Sequence, residues 1–145
     1  LAEEKYKELN DKYLRLYSDF DNYRKRSSKE RLQLIEQAGA DLIKDLITVK
    51  DDVDRAIDNN KTADDIAVVK EGFELIANKF GRILEQKGLT AMDAKGKEFD
   101  TDHHEAITNI PAPEESLKGK VVDVVEKGYF LNDKVLRYAK VVIGQ

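Results

Sequence analysis

The sequence predicts an α+β protein with a long N-terminal dimerisation helix, a helical hairpin that forms a four-helix bundle in the dimer, and a small C-terminal all-β domain. Two observations support this prediction. Apolar residues recur at intervals of three and four as far as Gly88, as they do on one face of a helix. Beyond Gly88, glycines recur, both prolines appear and the apolar runs shorten, which is typical of strands and turns. We expect domain bounds of 1–38, 39–88 and 89–145.

The first segment carries a heptad pattern of apolar side chains, which we call the seam: Tyr6, Leu9, Tyr13, Leu16, Phe20 and Tyr23. No proline interrupts Leu1 to Gln37, so one helix of about 55 Å is expected at 1.5 Å per residue. The pattern turns polar at Ser27 and Glu30. Because the rest of the chain is too small to cover such a stripe, we infer a homodimer in which a second copy covers the seam.

The helical hairpin is expected to begin at Gly39, where a glycine costs about 1 kcal/mol relative to alanine and predicts a kink or break. Its first helix should stop at Asp58-Asn59-Asn60, and Thr62 with Asp65 resembles a capping pair for the next helix. Gly88 suits the end of that helix. Two such hairpins pack as a four-helix bundle. The residues expected at the dimer interface of this bundle are Leu46, Val49, Val53, Phe73, Ile76 and Phe80.

Three apolar runs in the C-terminal segment are predicted to be strands, namely 104–110, 121–125 and 135–143. The pair Asn132-Asp133 predicts a tight hairpin turn, since both residues tolerate positive φ. Gly128 suits a bulge before that turn. A domain of fewer than about 60 residues buries a small core, so we expect it to need docking onto the bundle.

Composition narrows the classes of function. The chain has no cysteine, which excludes disulfides, thiolate metal sites and a cysteine nucleophile and fits a reducing cytoplasm. A net charge of −4 argues against nucleic acid as a partner. No apolar run approaches the ~20 residues that cross a bilayer. The abrupt start at LAEEKYKELN suggests that a longer natural chain was trimmed. We therefore expect a cytoplasmic protein that binds neither nucleic acid nor membrane.

Motifs for catalysis are missing from the sequence. There is no P-loop, GxSxG or HExxH pattern, so we expect neither catalytic residues nor a cofactor. The pair His103-His104 is flanked by acids, and imidazole and carboxylate are both zinc ligands. Adjacent residues on a strand point to opposite faces, however, so a structural role is favoured over a metal site.

Two further features have competing interpretations. The basic run Arg24-Lys25-Arg26, continued by Lys29 and Arg31, is most often a solvated helix face. A nucleic-acid site and a patch for an acidic protein surface are the alternatives. Gly72 lies within a predicted helix, where it indicates either close helix packing or the approach of a partner to the backbone. The residues alone favour neither of these two interpretations.

The tail carries a pattern that resembles the signature of the GrpE family, the nucleotide exchange factors of DnaK-type chaperones. The matching positions are Phe99-Asp100, His104, Ala106-Ile107, Gly128-Tyr129, Asp133, Leu136-Arg137, Ala139, Val141 and Ile143. Thr101 departs from the residues usual in the family at its position. Upstream, 21–26 resembles the long-helix motif of the family and 52–56 its bundle motif. The resemblance covers essentially the whole chain.

The resemblance implies a homodimer of which one protomer makes most contacts with the ATPase domain of the chaperone. The small β-domain would dock against one lobe of the nucleotide cleft, favour its open form and accelerate ADP release. The chaperone-binding positions that it implies are Arg24, Gly72, Val125, Lys134 and Ile143. A further basic contact expected after Arg24 falls on Gln33, with Lys29 and Arg31 as neighbouring substitutes. The alternative function is a dimeric coiled-coil scaffold or tether without exchange activity.

Overall fold

The computed structural model of the protein describes residues 1–145 and confirms the α+β class. Two helices come first, α1 (Ala2–Asn60) and α2 (Ile66–Gln86). Six strands follow, with a short 3-10 helix at Glu115–Leu117 between the second and the third. The strands are β1 (Leu89–Ala91), β2 (His104–Ile110), β3 (Val121–Glu126), β4 (Tyr129–Leu131), β5 (Lys134–Arg137) and β6 (Ala139–Gly144). Neither helix has the length and apolar composition that a membrane span requires.

The chain divides into two compact units, Leu1–Asp51 and Asp52–Gln145. The first unit consists almost entirely of α1, and the expected helix break at Gly39 is wrong because α1 runs through it without interruption. No side chain lies within 4 Å of the point where a Cβ on Gly39 would be. The penalty of about 1 kcal/mol for one glycine is small against the intrahelical hydrogen bonds of a long helix whose flanking residues here are alanines.

The observed ends of the two helices agree only in part with the ends predicted from the sequence. The predicted stop is confirmed, since α1 ends at Asn60. The predicted N-cap at Thr62 is wrong: the cap is Asp65, whose side chain accepts a hydrogen bond from the Ala67 N–H at 2.9 Å. At the other end of α2, Gly88 follows the C-cap residue with a φ of +96°, the left-handed conformation that glycine adopts without penalty.

The strands form two three-stranded sheets. In one, the order is β1-β4-β5 with antiparallel neighbours; in the other, β6 lies between β2, which is parallel to it, and β3, which is antiparallel. The strand predicted at 104–110 is confirmed as β2. The run 135–143 is instead divided at Tyr138 into β5 and β6, which belong to different sheets. The three-residue strands β1 and β4 do not stand out in the sequence as separate elements.

Register shifts interrupt the sheet that contains β6. Along β3 they leave Val122 and Val125 without a partner on β6, and along β2 they leave Ile107 without one. Each of these residues is therefore a bulge, which bends the strand and turns the local side chain.

The core of the second unit is small, as expected. It consists of four buried residues, Ala94, Val121, Ala139 and Val141, with Met92, Phe99, Val124 and Ile143 packed against them. All of them lie in the β-domain, so neither helix contributes a side chain to this core.

The hairpin turn predicted at Asn132-Asp133 is confirmed by φ values of 48° and 67°, the combination found in type I′ turns. A bulge is present close to the predicted place, between Tyr129 and Phe130. Gly128 itself has another role: a Cβ there would lie 2.5 Å from both the Ala139 N and the Met92 Sδ. The glycine therefore allows two segments of backbone to approach each other closely.

Candidate functional site

The seam is exposed in the single chain. Its six side chains are 57–72% exposed, although α1 is well formed and holds no buried residue. Tyr13 packs against Tyr17 one turn away, with ring centroids 6.4 Å apart. So large an unburied apolar stripe on a helix is typical of a surface that another protein covers.

The basic run beside the seam is partly neutralised within α1. Lys25 pairs with Asp21 at 3.1 Å and Arg26 pairs with Glu30 at 3.8 Å, with the Arg26 guanidinium 5.9 Å from the centre of the Tyr23 ring. Arg24 makes no ion pair, nor does Arg31, seven residues further on. Because seven residues are close to two turns, these two guanidinium groups share one side of α1.

The apolar face predicted for the hairpin is exposed along α2. Phe73 and Phe80 are exposed, whereas Ile76 is half-buried and so is Val53 at the end of α1. In the first unit, Leu46 and Val49 are also half-buried. The spacing of Phe73 and Phe80 places both rings on one side of α2, and Ile66 extends that side towards its N-terminus.

A groove of about 460 Å³ lies on another side of α2, between this helix and the last turns of α1, and we call it the Gly72 groove. Nothing lies within 4 Å of the point where a Cβ on Gly72 would be, so packing within the chain does not require the glycine. Val68 and Leu75 line the groove one turn to either side of Gly72.

Charges in the Gly72 groove are arranged around one carboxylate. Lys79 Nζ donates to Asp52 Oδ2 at 2.8 Å, and Arg55 donates to Asp52 Oδ1 at 3.1 Å. The hydrogen bond from Lys79, supported by its charge and by Arg55, lowers the pKa of Asp52 below the ordinary value for an aspartate. Arg82 adds a third cation to the lining of the groove and makes no ion pair.

The β-domain residues implied in chaperone binding occupy different positions. Val125 is 63% exposed and sits at the bulge of β3. Ile143 lies on the neighbouring strand β6, but it is half-buried and packs against the core. Lys134 is exposed at the start of β5, in the other sheet. The structure thus puts Val125 and Ile143 on adjacent strands and Lys134 on a separate sheet.

The histidine pair has a structural setting. His104 is buried, and its Nδ1 accepts a hydrogen bond from the Asp100 N–H at 3.1 Å. His103 is half-exposed, with its Nδ1 3.1 Å from Asp100 Oδ2 and its ring edge-on to Phe130 at 5.1 Å. Burial lowers the pKa of His104, an effect that the charge of Asp100 opposes. Residues 1–145 contain no group of three or more His, Asp or Glu side chains placed to bind a metal ion.

Several groove residues were missed by sequence analysis. Val68, Leu75, Lys79 and Arg82 share the face of Gly72 in steps of three and four along α2. A search for apolar periodicity does not detect them, because two are apolar and two are basic. A search for any residues that share the face of an unexplained helical glycine would have found them.

An α+β chain with a bare apolar seam, a second apolar face on α2 and a glycine-centred basic groove belongs to the class of proteins that work by binding other proteins. Comparison with known proteins identifies the family within that class. The GrpE family model matches residues 1–145, and the chain therefore belongs to the GrpE family.

Relatives named Protein GrpE align with nearly the whole chain. The protein of Parabacteroides distasonis is 50% identical over 143 residues, which are 99% of this chain and 74% of the relative. That of Bacteroides thetaiotaomicron is 52% identical over 138 residues, 95% of this chain and 72% of the relative. That of Bacteroides fragilis is 51% identical over 144 residues, 99% of this chain and 74% of the relative. Family membership implies the role of a co-chaperone, the nucleotide exchange factor of a DnaK-type chaperone.

Proposed function

We propose that this protein binds the ATPase domain of a DnaK-type chaperone, favours the open form of its nucleotide cleft and thereby accelerates ADP release. The observation that carries the proposal is the match of the GrpE family to all 145 residues. A cytoplasmic location fits a chain that contains no cysteine.

The working form is proposed to be a homodimer. Segment 1–38 would pair along the seam, and segment 39–88 would supply the end of α1 and all of α2 to a four-helix bundle. Segment 89–145 would be the docking β-domain. The exposure of the six seam residues supports this pairing. Burying each of them against a second copy contributes on the order of 1 kcal/mol, so the seam alone stabilises a dimer substantially.

The proposed mechanism is differential binding of two states of the partner. A protein that binds the open cleft better than the closed one by ~4 kcal/mol shifts the equilibrium between them roughly a thousandfold. No chemical step by this chain is needed. By linkage, nucleotide bound in the cleft should weaken the binding of this protein to the same degree.

The proposed contacts with the chaperone are Arg24 on α1, Gly72 in its groove, and Val125, Lys134 and Ile143 in the β-domain. Arg24 is supported by its lack of an ion pair and Gly72 by the open space in front of it. Val125 is supported by its exposure at a bulge. The support for Ile143 is its place on the strand beside Val125, although its side chain also packs against the core.

The proposal is tested by stopped-flow release of a fluorescent ADP from the ATPase domain of a DnaK-type chaperone. Wild type is compared with Gly72→Asp and with a matched control, Gly81→Asp. Both glycines lie in α2 with nothing within 4 Å of the point where a Cβ would be, so neither aspartate should disturb the fold. Nine residues separate them, which places the two aspartates about 180° apart around the helix.

Strong acceleration by wild type and by Gly81→Asp, but little by Gly72→Asp, is the expected result. Acceleration by all three proteins would keep the function and remove Gly72 from the contact surface. No acceleration by a folded wild-type dimer would refute the exchange function and favour a scaffold or tether.

A further inference from the structure

The two sides of α2 carry different kinds of surface. On one side, Phe73 and Phe80 are exposed apolar side chains two turns apart. On the other, the Gly72 groove combines Val68 and Leu75, which are 59% and 62% exposed, with basic side chains. Phe73 and Leu75 are separated by about 200° around the helix, so one flat partner surface cannot cover both.

The groove is positively charged in a chain that is negatively charged overall. Its lining holds the cations Arg55, Lys79 and Arg82 against the single carboxylate of Asp52, whereas the whole chain has a net charge of −4. Lys79 and Arg55 are engaged with Asp52, which leaves the charge of Arg82 uncompensated by an ion pair. Such a groove attracts an acidic group and repels a basic one.

The groove also has apolar walls on both sides of Gly72, the point where the backbone of a bound segment can approach α2 most closely. Val68 and Leu75 lie one turn before and one turn after Gly72, and the missing side chain of Gly72 leaves room between them. A ligand segment that fits must therefore place a small apolar side chain near Gly72 and a carboxylate near Arg82.

From this arrangement we infer that the Gly72 groove, with Leu75 as its apolar anchor and Arg82 as its charge contact, receives a segment of the chaperone's ATPase domain in which a small apolar residue and an acidic residue lie side by side. The inference rests on the proposed exchange function and specifies the partner chemistry of one of its contacts. It gives Leu75 and Arg82 roles in partner specificity, and it assigns the face of Phe73 to the second copy of the chain instead.

A first experiment identifies what lies against each side of α2. Because the chain has no cysteine, Leu75→Cys and Phe73→Cys each provide one attachment site for a benzophenone maleimide. After irradiation in the presence of the nucleotide-free ATPase domain, the label at Leu75 should crosslink to that domain, in a peptide that contains Asp or Glu. The label at Phe73 should crosslink to the second copy. A Leu75 label that reacts only with the second copy would overturn the inference.

A second experiment measures the charge contact in the ADP-release assay. Arg82→Glu should raise the concentration of this protein that gives half-maximal acceleration roughly tenfold, an effect that decreases with added salt. Lys70→Glu makes the same change of charge on another side of α2 and should behave as wild type. If wild type is active and Arg82→Glu is indistinguishable from it, the groove is excluded while the exchange function stands. If wild type is inactive, both proposals fail together.

Discussion

Acid should destabilise the β-domain through His104. The neutral ring of His104 is buried, and its Nδ1 lone pair accepts the hydrogen bond from the Asp100 N–H at 3.1 Å. A proton added to Nδ1 occupies that lone pair and leaves the N–H of Asp100 facing another donor. Loss of a buried hydrogen bond of this kind costs about 1–3 kcal/mol.

The direction of the pH effect follows from the pKa. Burial lowers the pKa of His104 below its ordinary value, the charge of Asp100 raises it in part, and His103 lowers it further. In the unfolded chain the pKa returns to about 6.5, so below that pH the unfolded state binds more protons than the folded state. The contribution of neutral His104 is thus complete above the unfolded pKa and is lost as the pH falls towards the folded one. Between the two values the free energy of unfolding should fall by up to about 1.4 kcal/mol per pH unit.

The measurement is urea unfolding at pH values between about 5.5 and 7.5, followed by the methyl resonances of Val121 and Val141, which are fully buried in the β-domain. His104→Asn keeps an acceptor near the position of Nδ1 but does not titrate, so its stability should be lower and nearly independent of pH. His103→Gln removes the half-exposed neighbour and should retain the pH dependence of wild type. A pH dependence that survives in His104→Asn, or is absent from wild type, would refute this reasoning.

Three further predictions concern packing and assembly. Gly128→Ala should destabilise the β-domain by about 1–3 kcal/mol in the same urea assay, because its Cβ would lie 2.5 Å from Ala139 N. Gly81→Ala is the control for crowding and should not destabilise the protein, because Gly81 has nothing within 4 Å of the Cβ position and lies in the helix α2. Phe73→Asp should raise the dimer dissociation constant roughly a hundredfold or more in sedimentation velocity, since a carboxylate would enter an apolar interface, whereas Leu75→Asp should leave the dimer intact. The polar seam positions Ser27 and Glu30 predict that the paired helices melt reversibly before the β-domain, and one cooperative transition in both calorimetry and circular dichroism would contradict this.

The sequence predicts an element correctly when the residues of that element themselves favour its backbone conformation. Strand β2 and the turn at Asn132-Asp133 are predicted correctly because β-branched residues and turn residues each favour their backbone conformation directly. The division at Tyr138 cannot be predicted, since 135–143 contains no proline, glycine or other turn residue and only the pairing of strands assigns its halves to two sheets. Strands β1 and β4 are too short, at three residues each, to show a period.

The errors at the helices have energetic causes. A break at Gly39 is expected from one unfavourable residue, but cooperativity favours continuing a helix that is formed on both sides. Thr62 and Asp65 are both good capping residues, and the choice between them depends on where the loop allows α2 to begin. In the candidate site, the seam is predictable from its period. In the Gly72 groove, Lys79 and Arg82 can be found from the face that they share with Gly72. Asp52 and Arg55 cannot, because they belong to α1 and their place in the groove depends on how the two helices pack.

The bulges in the β-domain affect how readily a strand of another molecule can add to its sheet. Strands β2 and β3 are the two outer strands of their sheet, and outer strands offer unpaired N–H and C=O groups to which a strand of another molecule can add. Bulges at Ile107, Val122 and Val125 interrupt both of these strands. An interrupted and twisted edge is a poor template for strand addition. The bulge that turns Val125 towards solvent therefore also disfavours the addition of a strand from another copy of the protein to this edge.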